Sequence, residues 1–321
     1  VVLLNCDLTL RQPLGLLRLV RGLRQHRVQV LYTFLIHSHV LGRVAGRLAG
    51  VPVILSSQQI MDWEGRFAEA LNRLTSRWCT VVVAVSHKVE AYLADRLRIP
   101  AGKLTTIHNS VDYGRFENIE AQRCRPGRTG PVIGSVARLN PEKDHDTLLV
   151  AFGEIRRRFP HARLVLAGGG PERARLEAKI RALGLEAAVS VLGHVKDVAS
   201  VYADLDVYVQ SSHTEGLSVA LLEAMACRLP VAAARVGGTE EVVQEGETGL
   251  LFEPGDSGAL TGAIGRFLDY PEQARAMAEA GRRLVVRRFG AARMVDETDR
   301  LITRLLAAGA STVPAGGLRP L

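Results

Sequence analysis

The segment 211–227 combines two carboxylates with the start of a helix. A strand ends at Gln210, a polar loop follows, and a helix begins with Ser218 as its N-cap. The free N–H groups and dipole of a helix start favour an anion. Glu215 precedes the helix and Glu223 lies about a turn and a half inside it, so both carboxylates are expected to accept hydrogen bonds from sugar hydroxyls. The alternative is a capped core helix that carries two solvated acids.

A second segment offers positive charge. Arg138 and Lys143 flank a turn that contains Asn140 and Pro141, and this turn follows an apolar strand. Ligands of parallel α/β sheets bind at the carboxyl ends of strands. Arginine offers a planar fork to phosphate and lysine a point charge. The pair therefore indicates a phosphate site, with a surface loop of two solvated cations as the alternative.

Two further signals are weaker. The run 168–171 places three glycines after a strand, which permits close approach of the backbone to a ligand, although the run lacks the GxGxxG spacing. His37 and His39 follow a strand in the first half of the chain. With no third ligand nearby, they are expected to line a cleft rather than to bind a metal.

Strand-like apolar runs alternate with helix-like segments along the whole chain. This alternation predicts an α/β fold with parallel sheets and helical crossovers. The predicted strands of the first series are 1–4, 29–36, 53–56 and 80–86, and those of the second are 132–137, 163–167, 189–192, 206–210, 231–234 and 249–252.

A polar break near 118–129 divides the chain into a first lobe over 1–120 and a second over 121–290. The sequence predicts a C-terminal helix over 291–308, and one hypothesis is that this helix crosses back to the first lobe. The tail 309–321 is expected to be disordered. A βα unit takes about 30 residues, so the first lobe holds roughly four units. We therefore expect this lobe to lack its first two units.

Composition excludes several classes of protein. Hydrophobic residues make up 47% and charged residues 23% of the 321 residues, as in globular proteins. No apolar run is long enough to span a membrane. The four cysteines form no CxxC pair and indicate reduced thiols of a cytoplasmic protein. Aromatic residues total 5% and do not interleave with the basic ones, so nucleic acid is not an expected partner.

The net charge of +8 is concentrated near the start of the chain, where no acid lies between Asp7 and Asp62. The segment 11–27 places arginines among leucines. Such a helix can lie on an anionic membrane surface, which makes peripheral membrane contact one hypothesis. The other is a lobe helix whose leucines belong to the core.

Taken in order, five segments resemble the retaining glycosyltransferases of the GT-B fold, specifically the GT4-type group. They are the Arg138–Lys143 loop, Gly168–Pro171, Glu215–Pro230, Gly237 with Gly238, and Thr248–Leu251. Val83–Ser86 and Ile107–Asp112 resemble two segments of the family's first lobe. The resemblance implies two Rossmann-like lobes with the donor site in the cleft between them.

The resemblance also implies roles for individual residues. Arg138 and Lys143 would bind the donor diphosphate and stabilise the leaving group, Glu215 would hold the transferred sugar, and Glu223 would accept from the ribose. Further donor contacts are expected at Gly216, Leu217, Ser218, Gly168, Gly170, Gly193 and His194. Acceptor contacts are expected at His37, His39 and Gln58.

The implied reaction moves a sugar from a nucleotide diphosphate sugar to a glycan or lipid-linked acceptor, with retention of anomeric configuration. A UDP-sugar is the favoured donor and GDP-mannose the alternative. No DxD-type motif stands in the expected place, so we expect no metal and no cofactor beyond the donor as co-substrate. Two rivals stay open: a sugar-nucleotide epimerase of the same architecture, and a non-catalytic fragment that binds nucleotide.

Overall fold

The computed structural model describes residues 13–60, 66–117, 119 and 130–310. The strand predicted over 1–4 and the tail beyond residue 310 lie outside these residues. Contacts group the described residues into two compact units. The first contains the residues up to His108 together with those from Met294 onward, and the second contains Asn109–Arg293.

The described part of the first unit contains a four-stranded parallel sheet in the order β1-β2-β3-β4. The strands are β1 (Val30–Phe34), β2 (Val53–Gln58), β3 (Val81–Ala84) and β4 (Leu104–Thr106). The helices around them are α1 (Pro13–Gln25), α2 (Ile36–Ala49), α3 (Arg66–Ser76) and α4 (His87–Asp95). β2 and β3 are buried along their whole length, as expected for parallel strands covered on both faces.

The last helix of the chain packs on this first sheet. It is α12 (Ala291–Ala310), and from Met294 onward it belongs to the first unit. Leu301 of α12 joins Leu55 of β2 and Val83 of β3 in one buried apolar cluster, with Leu305 packed against it. The helix extends to residue 310, two residues beyond the predicted bound, so the first two residues of the predicted tail belong to the helix.

The second unit contains a six-stranded parallel sheet in the order β10-β9-β8-β5-β6-β7. Its strands are β5 (Val132–Val136), β6 (Arg163–Ala167), β7 (Val189–Gly193), β8 (Val207–Gln210), β9 (Val231–Ala234) and β10 (Leu250–Phe252). Its helices are α5 (His145–Arg158), α6 (Arg173–Ala182), α7 (Val198–Asp204), α8 (Val219–Ala226), α9 (Thr239–Val242), α10 (Ser257–Asp269) and α11 (Pro271–Arg288).

The core of the second unit lies between this sheet and its helices. Leu164 and Leu166 of β6 and Phe152 of α5 are fully buried within it. Side chains cap α5 and α8 as the sequence favours: Asp144 accepts from the N–H of Thr147, and Ser218 accepts from that of Leu221. The predicted N-cap at Ser218 is therefore confirmed.

The α/β fold with two parallel sheets is confirmed by these strand pairings. The short elements β4, α4, α7 and α9 were not predicted from the sequence. Among the described helices, none is both long enough and apolar enough to span a bilayer.

Candidate functional site

The direction in which successive strands are added to the second sheet reverses at β5. From β5 the chain builds outward through β6 and β7, and it then returns to the other side of β5 to place β8, β9 and β10. Ligands of open α/β sheets bind outside the carboxyl ends of the strands at such a reversal. The loops after β5 and β8 carry Arg138 with Lys143 and Glu215, so the fold brings these predicted residues to one edge.

Lys143 and Glu215 form an ion pair at this edge. Lys143 Nζ lies 2.6 Å from Glu215 Oε1, and the two side chains are only 16% and 11% exposed. The hydroxyl of Ser212 donates to the same carboxylate oxygen at 2.7 Å. Ser211 donates to the backbone carbonyl of Lys143 at 2.9 Å, which ties the β8 loop to the β5 loop. A cation and an acid 72 residues apart in sequence are therefore fixed in direct contact.

Arg138 stands at the entrance to the same loop with its side chain 71% exposed. Its guanidinium lies 3.6 Å from Glu142 Oε1, which also accepts from the amide of Asn140 at 3.0 Å. Burial acts to raise the pKa of Glu142, but the Asn140 hydrogen bond and the charges of Arg138 and Lys143 lower it overall. Two positive charges are thus available at this edge, and one of them faces solvent.

The glycine-containing loops after β6 and β7 lie against the β5 loop. The N–H of Gly168 donates to the carbonyl of Gly193 at 2.9 Å, and Gly170 packs on the carbonyl of Leu139. His194 is exposed, and its backbone nitrogen lies 3.9 Å from the position that a Cβ at Gly169 would occupy. The structure therefore brings the predicted donor residues of three loops to one edge of the sheet.

The start of α8 is held by backbone contacts. Gly216 accepts from the N–H of Gly238 at 2.7 Å, and Leu217 accepts from the side-chain amide of Asn109 at 2.9 Å. Ser218 caps the helix, as described above. These contacts fix the loop between Glu215 and the first helical turn, whose N–H groups favour an anion.

Glu223 lies inside α8 and is partly buried. The hydroxyl of Tyr202 lies 2.9 Å from Glu223 Oε2, and the tyrosine itself is fully buried. Burial raises the pKa of Glu223, while the Tyr202 hydroxyl and the charge of Arg115 act in the opposite direction. One carboxylate oxygen of Glu223, Oε2, therefore has a fixed hydrogen-bond partner in Tyr202.

The predicted acceptor residues belong to the first unit. His37 is exposed on α2, whereas His39 and Gln58 are buried. His39 Nδ1 lies 2.9 Å from the hydroxyl of Thr33. Burial, together with the charge of Arg43, lowers the pKa of His39 to about 3, and a hydrogen bond with the backbone of Ser57 acts in the opposite direction. The amide nitrogen of Gln58 donates to the carbonyl of Ile60 at 2.7 Å, and its buried Oε1 has no partner among the described residues.

Three residues that hold the site together were not predicted from the sequence. Ser212 binds Glu215, Tyr202 binds Glu223, and Asn109 binds the loop at Leu217. Ser212 stands three residues before Glu215 in a run of polar residues, which was the available signal. Tyr202 carried no signal, because a tyrosine among apolar residues is typical of a core position.

Two family models match the chain. Residues 118–284 match the model described as glycosyl transferases group 1, and residues 2–115 match that of glycosyltransferase family 4. A GDP-mannose-dependent alpha-(1-6)-phosphatidylinositol monomannoside mannosyltransferase of Mycolicibacterium smegmatis is 36% identical over 197 residues, which cover 57% of this chain and 52% of the relative. The chain thus spans about half the length of this relative. The enzyme of the same name from Mycobacterium tuberculosis is 30% identical over 285 residues, which cover 84% of this chain and 74% of the relative.

Solved structures share the fold. Anabaena HepE in complex with UDP is 22% identical, with a TM-score of 0.80 over 90% of this chain and 82% of its own. Sucrose-phosphate synthase of Thermosynechococcus elongatus is 26% identical, with a TM-score of 0.81 over 93% of this chain and 80% of its own.

Proposed function

The chain belongs to the glycosyl transferases group 1 family, and from that premise we propose that it transfers a hexose from a nucleotide diphosphate sugar to an acceptor hydroxyl. The family resemblance drawn from the sequence motifs is confirmed by these matches. In the proposed reaction the bond between the anomeric carbon and the diphosphate oxygen breaks, and a bond to the acceptor oxygen forms. The nucleoside diphosphate leaves with the electron pair and the acceptor gives up a proton.

The ion pair of Lys143 with Glu215 is the observation that carries this proposal. A departing diphosphate gains negative charge at the bond that breaks, and a cation already in position stabilises that charge without reorganisation. Lys143 is held by Glu215 at 2.6 Å, and Arg138 adds a second cation on the same loop. Glu215 would then accept hydrogen bonds from the transferred sugar, and Glu223 from the ribose.

The cations also support a reaction that needs no metal. Two positive side chains on one loop supply the charge that a divalent ion provides in other phosphate sites. We propose retention of anomeric configuration as well, on the family resemblance alone. The configuration of the product, read by proton NMR of the anomeric position, tests this part.

A donor assay separates the proposal from its rivals. The full chain is incubated with GDP-mannose or UDP-glucose. The mycobacterial relatives are named as GDP-mannose-dependent enzymes, and Anabaena HepE has been solved in complex with UDP-glucose. Transfer to an added acceptor, or slow hydrolysis of the donor, supports the enzyme. Binding without turnover supports the nucleotide-binding fragment, and recovery of an epimerised nucleotide sugar supports the epimerase.

For the acceptor we propose a glycan or a lipid-linked sugar. The names of the mycobacterial relatives specify a phosphatidylinositol mannoside as their acceptor. His37 is the exposed member of the three proposed contacts. His39 and Gln58 are buried, so we propose that they shape the carboxyl edge of the first sheet beneath the acceptor.

We also propose peripheral contact with an anionic membrane through α1, in keeping with a cytoplasmic enzyme at the inner membrane face. Leu19 and Leu23 are buried in the first unit, so the apolar side of this helix serves the core. Its exposed side carries Arg18, Arg21 and Arg24. The contact would therefore be electrostatic, and co-sedimentation with vesicles should rise with the fraction of anionic lipid and fall with salt. Binding that ignores lipid charge would contradict it.

A further inference from the structure

A buried tyrosine controls the surroundings of Glu223. Tyr202 lies on α7, outside the helix that carries Glu223, and is fully buried. Its ring meets that of Phe116 edge-on at 6.0 Å and lies 6.1 Å from that of Tyr208. These contacts leave the phenol little freedom. The position of its hydroxyl is therefore set by the core and not by the carboxylate.

The hydroxyl of Tyr202 has two acceptors within reach. Glu223 Oε2 lies at 2.9 Å and the carbonyl of Ala220 at 3.1 Å. A phenol has one proton to donate, and an ionised carboxylate is the stronger acceptor. Both acceptors belong to the same helix, so the bond fixes the side chain of Glu223 against the first turns of α8.

We propose that Tyr202 is a positioning residue of the donor site, whose hydroxyl holds the carboxyl group of Glu223 in one rotamer so that its other oxygen accepts from the donor ribose. This inference rests on the function proposed above. Tyr202 itself touches no substrate in this scheme, and it acts through Glu223.

The charges around Glu223 agree with this role. Burial disfavours the carboxylate and raises its pKa, and the Tyr202 hydroxyl is the first of the two contacts that counter this. The other is Arg115, on the short helix Tyr113–Phe116. Tyr208 of β8 is uncharged, because burial raises its pKa strongly. Arg282 of α11 donates a hydrogen bond to the carbonyl of Ala226, which lies after Glu223 in α8.

Tyr202→Phe removes the hydroxyl and keeps the ring. A hydrogen bond to a charged group contributes enough that the donor dissociation constant should rise about tenfold at pH 7. Because Glu223 faces the ribose and not the bond that breaks, KM for the donor should rise while kcat stays within about threefold. The loss of affinity should grow as pH falls, since the carboxylate without its donor takes up a proton at higher pH.

A double-mutant cycle separates positioning from packing. Donor binding is measured by calorimetry with GDP-mannose, and with UDP-glucose as the second probe, in wild type, Tyr202→Phe, Glu223→Ala and the double variant. In the Glu223→Ala background, where the hydroxyl has lost its acceptor carboxylate, Tyr202→Phe should change affinity by less than about twofold. Phe116→Leu loosens the same ring cluster but keeps the hydroxyl, so it should lower the melting temperature and shift the pH dependence of donor binding less than Tyr202→Phe does.

The outcomes separate the two claims. The positioning role is overturned if Tyr202→Phe causes an equal loss of affinity in both backgrounds, or if the pH dependence of donor binding is unchanged. In either case, donor binding by the wild-type protein would still support the proposed function. If wild type binds neither donor, the proposed function fails and this inference fails with it.

Discussion

Replacement of Lys143 by alanine removes the cation that is held deepest at the carboxyl edge of the second sheet. Its ammonium lies 2.6 Å from Glu215 Oε1. If this cation stabilises the departing diphosphate, its loss should lower kcat by a factor of about 100 to 1,000, the usual effect of deleting one preorganised donor to developing negative charge. Arg138 and the N–H groups at the start of α8 remain, so some turnover should survive.

The same change has a cost in stability that must be measured separately. Both side chains of the pair are largely shielded from solvent, and after removal of Lys143 the hydroxyl of Ser212 still donates to Glu215. Breaking such a pair costs about 3 kcal/mol, toward the lower end of the range for buried pairs because Ser212 still donates. Urea unfolding should show this loss, and activity is therefore compared at a temperature where both proteins are folded.

Lys179→Ala is the matched control. Lys179 on α6 forms an ion pair with Asp146 at 2.8 Å, with side chains 31% and 35% exposed. It is a lysine of the same unit that the proposed site does not use. Its replacement should leave donor turnover within about twofold and cost less than about 1 kcal/mol, as for other exposed pairs.

The assay is release of nucleoside diphosphate at saturating donor, with calorimetric titration of the donor in parallel. A folded Lys143→Ala protein that turns over within about threefold of wild type would refute the assignment of the diphosphate to this loop. Equal losses in the Lys143 and Lys179 variants would contradict it as well, because they would reflect a general loss of fold.

Three further outcomes are expected. Gly237→Ala should lower the free energy of unfolding, measured by urea titration, by about 3 kcal/mol, since φ is +51° and an added Cβ would lie 1.8 Å from the carbonyl oxygen of Glu215. Gly255→Ala is the control: φ is +81° but no backbone atom is near, so the substitution should lower the free energy of unfolding by about 1 kcal/mol. Burial lowers the pKa of His39 to about 3 and that of His145 to about 4, both below the ordinary 6.5. Stability should therefore fall as pH drops below 6.5, by up to about 1.4 kcal/mol per pH unit for each histidine, and a flat profile between pH 7 and 5 would contradict this. Excess EDTA should leave donor turnover unchanged, whereas a loss restored by Mg²⁺ or Mn²⁺ would contradict metal independence.

The long strands of both sheets were predictable because buried parallel strands have continuous apolar sequences. The bounds of β6 and β9 agree with the prediction to the residue. The missed elements lack that pattern. β4 has three residues, Leu104 to Thr106, at intermediate burial, and α7 has seven residues, too few for a helical repeat to stand out.

The site was predictable only in its main charges. The family motifs predicted Lys143 and Glu215 at one site, and the fold places them in contact. Tyr202 was out of reach, because its role depends on a helix that was missed and on a hydroxyl meeting a carboxylate 21 residues away. Such contacts follow from packing, which a pattern of apolar and polar residues does not specify.

The glycines of the motifs have a packing role that only the structure shows. At Gly168, φ is +149°, and an added Cβ would lie 1.8 Å from the carbonyl oxygen of Ala137, one residue before Arg138. At Gly237 the same substitution would meet the backbone of Glu215 at 1.8 Å. Each glycine thus lets a neighbouring backbone press against the segment that carries one charged residue of the proposed site.

The glycine motifs of this chain therefore position its charged motifs. The β6 loop sets the position of the Arg138–Lys143 loop, and the β9 loop sets that of Glu215. Donor contact at Gly168 and Gly170 stays a prediction beside this. The packing role has its own consequence: Gly237→Ala should impair turnover even though residue 237 carries no side chain that could bind a sugar, because a shift of about 1 Å in Glu215 is enough to misplace the transferred group.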